Sequence, residues 1–572
     1  MEKELMLANH AIARGAYEAG VKVVSAYPGT PSTEIAEAFA KYSEVHAEWA
    51  PNEKVAFEVA YGASVAGARA LVCMKHVGLN VAADPLFTAS YSGVNGGLVI
   101  VVADDPGMHS SQNEQDSRYY ARSAHVLMLE PSSASEAKEF TKLAFELSEQ
   151  YDTPVFVRTT TRVSHSHGFV DISPREDVKN KPYEKLPTKY IMAPANAQLR
   201  HRVVEERDRE LATAVNGMAI NKAEYNPKSK RIGVICSGIV YDYVKEALPA
   251  ANVYKVATDF PLPLAAIKKF SQKVEKLFVI EELEPYIETE IRAAGIKCLG
   301  KDIFSLQGEL SVAKILEKFE KTPIPAAKKV PNRPPVMCAG CPHRGVFYVL
   351  NKLKVTVNGD IGCYTLGASP PLGAVDTVLC MGASIGMAHG FKKATKGVSK
   401  NIAVIGDSTF LHSGVTGLIN AVYNKSGITL LILDNSTTGM TGHQENPSTG
   451  KNLKGEPAPQ VDLVDLCKAC GVKKVDVIAA DDMKTLEKTI KEDMLSGEVC
   501  VIIAQKPCIM LDKSEKPLCE IDGCRNCGMC MKIGCPALVK GEGGVVIDKT
   551  LCVGCGLCAK MCAFGCIKEV KR

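Results

Sequence analysis

Two cysteine runs near the C-terminus constrain this chain more than any other feature. They read Cys524-x2-Cys527-x2-Cys530-x4-Cys535-Pro and Cys552-x2-Cys555-x2-Cys558-x3-Cys562. The short gaps let three successive thiolates face one iron–sulfur cube, while the fourth cysteine of each run crosses to the other cube. One [4Fe–4S] cluster then takes Cys524, Cys527, Cys530 and Cys562. The other takes Cys552, Cys555, Cys558 and Cys535. Zinc also uses C-x-x-C pairs, but eight cysteines in this order favour clusters. Cys519 and Cys566 are left over. The four-residue gap before Cys535, and Ala563 where a proline usually follows the last cysteine, are departures from the commonest pattern.

Such a tail needs few residues, and this chain has 572. At about 150 residues per domain, three to five domains are expected. The 21 cysteines raise the alternative of a secreted disulfide scaffold, which the length argues against. Ten of them fall in residues 519–572, the distribution of a metal-binding protein in a reducing compartment. A net charge of +4 is too small to point to nucleic acid or an anionic membrane surface. No apolar run reaches the roughly 18 residues that a spanning helix needs. The N-terminal "MEKELMLANHAIARG" lacks the apolar core of an export signal. A soluble cytoplasmic protein is expected, with no nucleic acid or membrane partner.

The remainder is α/β text. In residues 1–180, "VKVVSAYPGT", "GGLVIVVADDPG" and "TPVFVRTTTRVSHS" are apolar runs, which predicts buried, parallel strands. "NEKVAFEVAYGASVAGARAL" has helical spacing with many small residues. Residues 181–230 are charged and helical, a bridging segment. A small α/β unit at 231–322 follows, with strands in "RIGVICSG", "NVYKVATDFPLP" and "KLFVIEEL" and a helix in "YDYVKEAL". Five prolines between 323 and 335 make 323–337 an extended linker. A further α/β block covers 338–510, with strands in "KNIAVIGD", "GITLLILDN" and "VCVIIAQKP". The cysteine tail fills 511–572. The expected fold class is α/β, with two doubly wound parallel-sheet domains, a smaller α/β domain and a two-cluster ferredoxin domain.

In the 338–510 block, one apolar strand ends at Gly406-Asp407-Ser408, and a second ends at Asn435, twenty-eight residues after Asp407. Strand ends of this kind are where open α/β sheets bind ligands. Asp407, the Asn435 side chain and the Thr437 carbonyl can form a hard oxygen face suited to Mg²⁺ carrying phosphate. The pattern resembles the diphosphate motif of thiamin diphosphate enzymes, with Ser408 in place of a glycine. That resemblance implies cofactor binding by Gly406, Asp407, Ser408, Asn435 and Thr437. It also implies a glutamate on the other α/β domain, hydrogen-bonded to the cofactor's pyrimidine ring to drive proton transfer. "PNEKVAFEVAYGAS" nominates Glu53. The plain alternative is a solvated glutamate in a helix's first turn.

"AYPGTPSTE" resembles the Y-P-x-T-P-S-T turn of the 2-oxoacid:ferredoxin oxidoreductases, which faces substrate and nominates Thr30. The loop "HSSQNEQDSR" (109–118) could add polar substrate contacts. "MCAGCPHRG", "GDIGCYTLG" and "VIIAQKPCIM" supply Cys338, Cys341, Cys363 and Cys508. These resemble the ligands of that superfamily's proximal [4Fe–4S] cluster; the alternative is a zinc-holding or inactive C-x-x-C with two core cysteines. Cys467 and Cys470 read as helix core positions. Cys73, Cys236, Cys298, Cys380 and Cys500 read as buried small apolar residues.

Taken together the motifs resemble the large (alpha) subunits of the indolepyruvate:ferredoxin oxidoreductases, in which the wide gap before the fourth cysteine also occurs. The resemblance implies a pyrimidine-binding domain at 1–180, a transketolase-C-like domain at 231–322 and a diphosphate-binding domain at 338–510. It implies CoA-dependent oxidative decarboxylation of arylpyruvates such as indolepyruvate to aryl-acetyl-CoA and CO2. The cofactors would be thiamin diphosphate, Mg²⁺, two [4Fe–4S] clusters and a third proximal one. The partners would be a smaller beta subunit and an external ferredoxin. Three alternatives stay open: another 2-oxo acid, branched or small; a non-oxidative thiamin decarboxylase; and a pure electron-transfer subunit.

Overall fold

The computed structural model describes residues 2–320, 331, 334–395, 400–512 and 518–570. It divides into two compact units, Met1–Lys328 and Lys329–Arg572. Most of the proline-rich stretch 323–337, namely 323–330 and 332–333, lies outside the described residues.

The first unit is built on a seven-stranded sheet. Its order is Thr258–Phe260, Met128–Leu129, Val155–Thr160, Leu98–Asp104, Ala70–Lys75, Val23–Ala26 and His46–Trp49. All neighbours pair in parallel except Thr258–Phe260, which runs antiparallel to Met128–Leu129. Ala70–Lys75, Leu98–Asp104 and Val155–Thr160 are buried along their whole length; the first two read as near-continuous apolar runs, and the third buries Arg158, Thr159 and Thr160 at its end. The helix Glu53–Val65 packs on this sheet through Ala56, Phe57 and Ala60. Its start is fixed by Asn52, whose side chain accepts a hydrogen bond from the Val55 amide at 2.9 Å.

A second, four-stranded sheet in this unit has the order Lys276–Ile280, Ile232–Ser237, Asn252–Val256 and Lys222–Glu224. Lys222–Glu224, inside the segment expected to bridge, runs antiparallel to Asn252–Val256. A buried ionic network stitches the two sheets. Arg158 pairs with Asp104 at 2.8 Å and Glu130 at 2.5 Å; Arg118 pairs with Asp116 and with Glu281, each at 2.6 Å. Asp116 and Arg118, within the loop expected to touch substrate, are therefore bound up in this network.

The second unit holds a five-stranded, all-parallel sheet. Its order is Thr356–Asn358, Asn401–Gly406, Thr429–Asp434, Cys500–Gln505 and Lys474–Ala479. The helix His343–Leu353 packs on one face and Ala383–Ala394 on the other. The cysteine tail folds around two short antiparallel ribbons, Leu518–Ile521 with Ile567–Val570 and Leu538–Gly541 with Gly544–Ile547. Among the described residues, no helix is long and apolar enough to cross a membrane.

Candidate active site and cluster sites

The strands Asn401–Gly406 and Thr429–Asp434 lie side by side and end together, which brings Asp407 next to Asn435. As placed, the Asn435 amide oxygen is 3.3 Å from Asp407 Oδ1 and 2.8 Å from the Thr437 carbonyl oxygen. Three acceptors facing one another repel, unless the amide is turned to donate or a cation sits among them. Asp407 Oδ2 is also buried without a partner. Burial, then the neighbouring Asp434 carboxylate, pushes Asp407 up to about 7. This oxygen set fits a divalent cation, whose charge would hold Asp407 ionised. Ser408 is buried beside it and accepts a hydrogen bond from Thr438 Oγ1 at 3.0 Å. Asp434 is a second carboxylate at this edge that motif reading passed over, although it directly precedes Asn435.

The four cysteines of the proximal set converge beside these oxygens. Charge on Cys338 bears on Cys341, Cys363 and Cys508. The Cys508 amide donates to the Asn435 carbonyl at 2.9 Å. Burial pushes the Cys363 thiol up to about 11, with Cys338 and Cys508 adding to the effect, and the Cys341 thiol up to about 12. Thiols raised in this way stay neutral unless a cation draws off their protons, and a cluster's irons would supply that charge.

The two runs in the tail enclose two cavities. One is lined by Cys524, Cys527, Cys530 and Cys562, with Cys566 beside them. The other is lined by Cys535, Cys552, Cys555 and Cys558, with Cys519 beside them. Each cavity thus gathers three cysteines of one run and the fourth of the other. Among the described residues, no three His, Cys, Asp or Glu side chains converge as a single ion requires. The cysteines instead surround a space, the arrangement that suits a cube in which each thiolate meets its own iron.

Of the cysteines read as plain core residues, Cys73, Cys236 and Cys500 are buried; Cys298 is half-buried and Cys380 is exposed. Cys380 stands in the irregular stretch ahead of the helix Ala383–Ala394, where no sheet or helix face covers it.

In the first unit, Glu53 opens its helix and is buried. A Cβ on Gly78 would stand 2.6 Å from Glu53 Cγ and Oε1, so only glycine leaves room for the carboxyl. The solvated alternative for Glu53 is thereby excluded. Thr30 lies in the turn after Val23–Ala26, and its carbonyl accepts from Ser110 Oγ at 3.3 Å. Between these two places stands Lys75, missed in the motif reading. It ends the buried strand Ala70–Lys75 and is 7% exposed. Its ammonium donates to the Ser110 carbonyl at 2.5 Å, and burial lowers it to about 8. Asp105 fixes the same loop, accepting from the Ser110 amide at 2.9 Å and the Ser111 hydroxyl at 2.6 Å.

Comparison with known proteins agrees with this layout. Residues 14–224 match the family "Pyruvate flavodoxin/ferredoxin oxidoreductase, thiamine diP-bdg", and residues 360–504 match "Thiamine pyrophosphate enzyme, C-terminal TPP binding domain". Thiamin diphosphate is thus the cofactor of both matched families. The chain is 40% identical to indolepyruvate oxidoreductase subunit IorA of Archaeoglobus fulgidus, over all of this chain and 98% of that one. It is 40% identical to the Pyrococcus abyssi protein of the same name, over all of this chain and 97% of that one. The Methanothermobacter thermautotrophicus counterpart is 38% identical, over 99% of this chain and 97% of its own length. With two matched thiamin diphosphate domains and relatives similar from end to end, this chain belongs to the indolepyruvate oxidoreductase subunit IorA family.

Proposed function

We propose that this chain is the cofactor-bearing subunit of an indolepyruvate-type 2-oxo acid oxidoreductase, which converts arylpyruvates and CoA to aryl-acetyl-CoA and CO2. Its partners in this reading are a smaller beta subunit and an external ferredoxin, in the cytoplasm. The domain division at 180, 230, 322, 337 and 510 belongs to the same reading.

When bound, thiamin diphosphate supplies the nucleophile and electron sink for decarboxylation, and the clusters supply a one-electron path out. The protein's own part is binding, orientation and proton control. Asp407, the Asn435 side chain and the Thr437 carbonyl would hold Mg²⁺ with its diphosphate, with Gly406 and Ser408 beside them. Glu53, kept from water, would hold and move the proton at the pyrimidine nitrogen. Thr30 and Lys75 would meet the substrate, Lys75 as the cation for its carboxylate. Cys338, Cys341, Cys363 and Cys508 would carry the proximal cluster. The two tail sets would carry the others.

One observation favours the oxidative reading over a non-oxidative decarboxylase or a bare electron carrier. The Cys508 amide is hydrogen-bonded to Asn435 itself, so the thiol set begins at the oxygen set. A non-oxidative enzyme has no use for that adjacency.

The test is an oxygen-free panel of 2-oxo acids with the partner subunit, CoA and a viologen dye. Arylpyruvates should be turned over fastest. Asp407→Ala and Glu53→Ala should each abolish CoA-dependent dye reduction while cluster absorbance persists. Undiminished turnover in either variant would sink the reading.

A further inference from the structure

Arg344 sits between two of the cysteine sets. It lies in the helix His343–Leu353, just after Cys341, and is 2% exposed. One edge of its guanidinium grips the Cys338 loop: Nε donates to the Cys338 carbonyl at 2.9 Å, and Nη2 to the Met337 carbonyl. The other edge grips the loop ahead of Cys535. There Nη1 donates to the Ile533 carbonyl at 3.1 Å and the Gly534 carbonyl at 2.5 Å. Burial lowers its proton affinity, and the ionisable groups around it that oppose this are Cys535, Cys341, Cys338 and Cys555.

A second observation concerns the approach of the two loops. Gly340, between Cys338 and Cys341, has φ +73, and a Cβ there would meet Val553 Cγ2 at 2.4 Å and Cys555 Cβ at 3.4 Å. Ala339, Gly340 and Arg344 all line the cavity of Cys535, Cys552, Cys555 and Cys558. The loop of the proximal set thus forms a wall of the inner tail site.

A buried guanidinium is costly unless both its donors and its charge are answered. Backbone carbonyls answer the donors; a protonated thiol carries no charge, so the cation would be answered only by the net negative charge of clusters held on these cysteines. A cluster gains negative charge on reduction, and a fixed cation nearby favours that form.

We propose that Arg344 is a positioning residue of the electron path. Its fork fixes the spacing of the Cys338–Cys341 and Cys535 loops, and its charge favours the reduced state of the clusters these loops would hold. This inference rests on the cluster assignments made under Proposed function. It does not depend on which 2-oxo acid is used.

The experiment is a reductive titration of the full chain, purified without oxygen and followed by electron paramagnetic resonance, with iron counted on the same samples. Arg344→Gln keeps hydrogen bonding and removes the charge. It should make the proximal or inner cluster about tenfold harder to reduce, a downward shift of about 59 mV for one electron. Arg344→Lys keeps the charge and should stay near the parent. Full iron with unmoved potentials in Arg344→Gln overturns the proposal. So does loss of iron in both variants, the mark of a merely structural residue. If only Arg344→Gln loses iron, a parent-like potential in Arg344→Lys supports the proposal and a lowered one overturns it. Failure of the proximal-cluster reading would show separately, as about eight irons per parent chain instead of about twelve.

Discussion

Lys75 is a cation at the end of a strand buried throughout, hydrogen-bonded to the neutral Ser110 with the Asp105 carboxylate as its electrostatic partner. Its burial is worthwhile if an anion arrives, and a 2-oxo acid brings a carboxylate. Lys75→Met is expected to raise KM for the acid by tenfold or more, about 1.4 kcal/mol, with a smaller change in kcat. Lys75→Arg should not restore binding, because a planar fork cannot replace a compact ammonium in a packed site. Steady-state kinetics of the reconstituted enzyme decide it, and an unchanged KM in Lys75→Met refutes the role. In the sequence this lysine belongs to no motif. Only the packing of Gly29 and Ser110 against it singles it out. Glu53 was the reverse case. Its place before a helix of small residues was legible, whereas its burial was not, since that depends on Gly78, a glycine twenty-five positions away.

The parallel strands Leu98–Asp104, Asn401–Gly406 and Thr429–Asp434 and the helix from Glu53 were legible because buried β-branched runs and small-residue helices leave strong local patterns, whereas Ala70–Lys75 was not, its first two residues reading as the end of that helix. Lys222–Glu224 was not, because it is three residues long and is made a strand by a distant neighbour; Thr258–Phe260 fell within a stretch read as strand, but its departure to pair with Met128–Leu129 in the other sheet was not legible. The grouping of the tail cysteines around two cavities was legible because each run is local and closely spaced. The proximal set was only partly so, since Cys363 and Cys508 meet the Cys338–Cys341 pair through the fold. Iron counting on Cys363→Ala should therefore find about four irons fewer than the parent, with the tail clusters kept; equal iron in both would remove Cys363 from the ligand set. The ionic network of the first unit leaves its own pH signature. Glu282 is buried and pushed up to about 7, chiefly by desolvation. It binds its proton more tightly folded than unfolded. Its contribution is therefore complete below about 4.5 and is lost as pH rises through about 7, by about 3 kcal/mol. Glu282→Gln keeps an acceptor for the Leu310 amide and has nothing to ionise. Relative to the parent, its Tm should climb from pH 5 to about pH 7 and then level off; parallel curves would show that Glu282 does not titrate there.

Across the second unit the sites fall in a series. The oxygen set touches the proximal cysteines at Asn435 and Cys508. The proximal loop lines the cavity of Cys535, Cys552, Cys555 and Cys558. The cavity of Cys524, Cys527, Cys530 and Cys562 is lined by tail residues alone, and Cys527 is exposed. On the proposed cluster assignment this order would make the outer tail site the exit and the inner one a compulsory step, because electron transfer favours the shortest gaps. The two sites then fail differently. Cys527→Ser, an exposed change that leaves the inner cavity's lining untouched, should cut steady-state ferredoxin reduction more than tenfold. In the same variant, substrate and CoA should still reduce the proximal and inner clusters in a single turnover, seen by electron paramagnetic resonance. Cys555→Ser should stop electrons one step earlier, leaving the outer cluster oxidised after that turnover. If the outer cluster is reduced at the parent rate in Cys555→Ser, electrons bypass the inner site and the serial order is wrong.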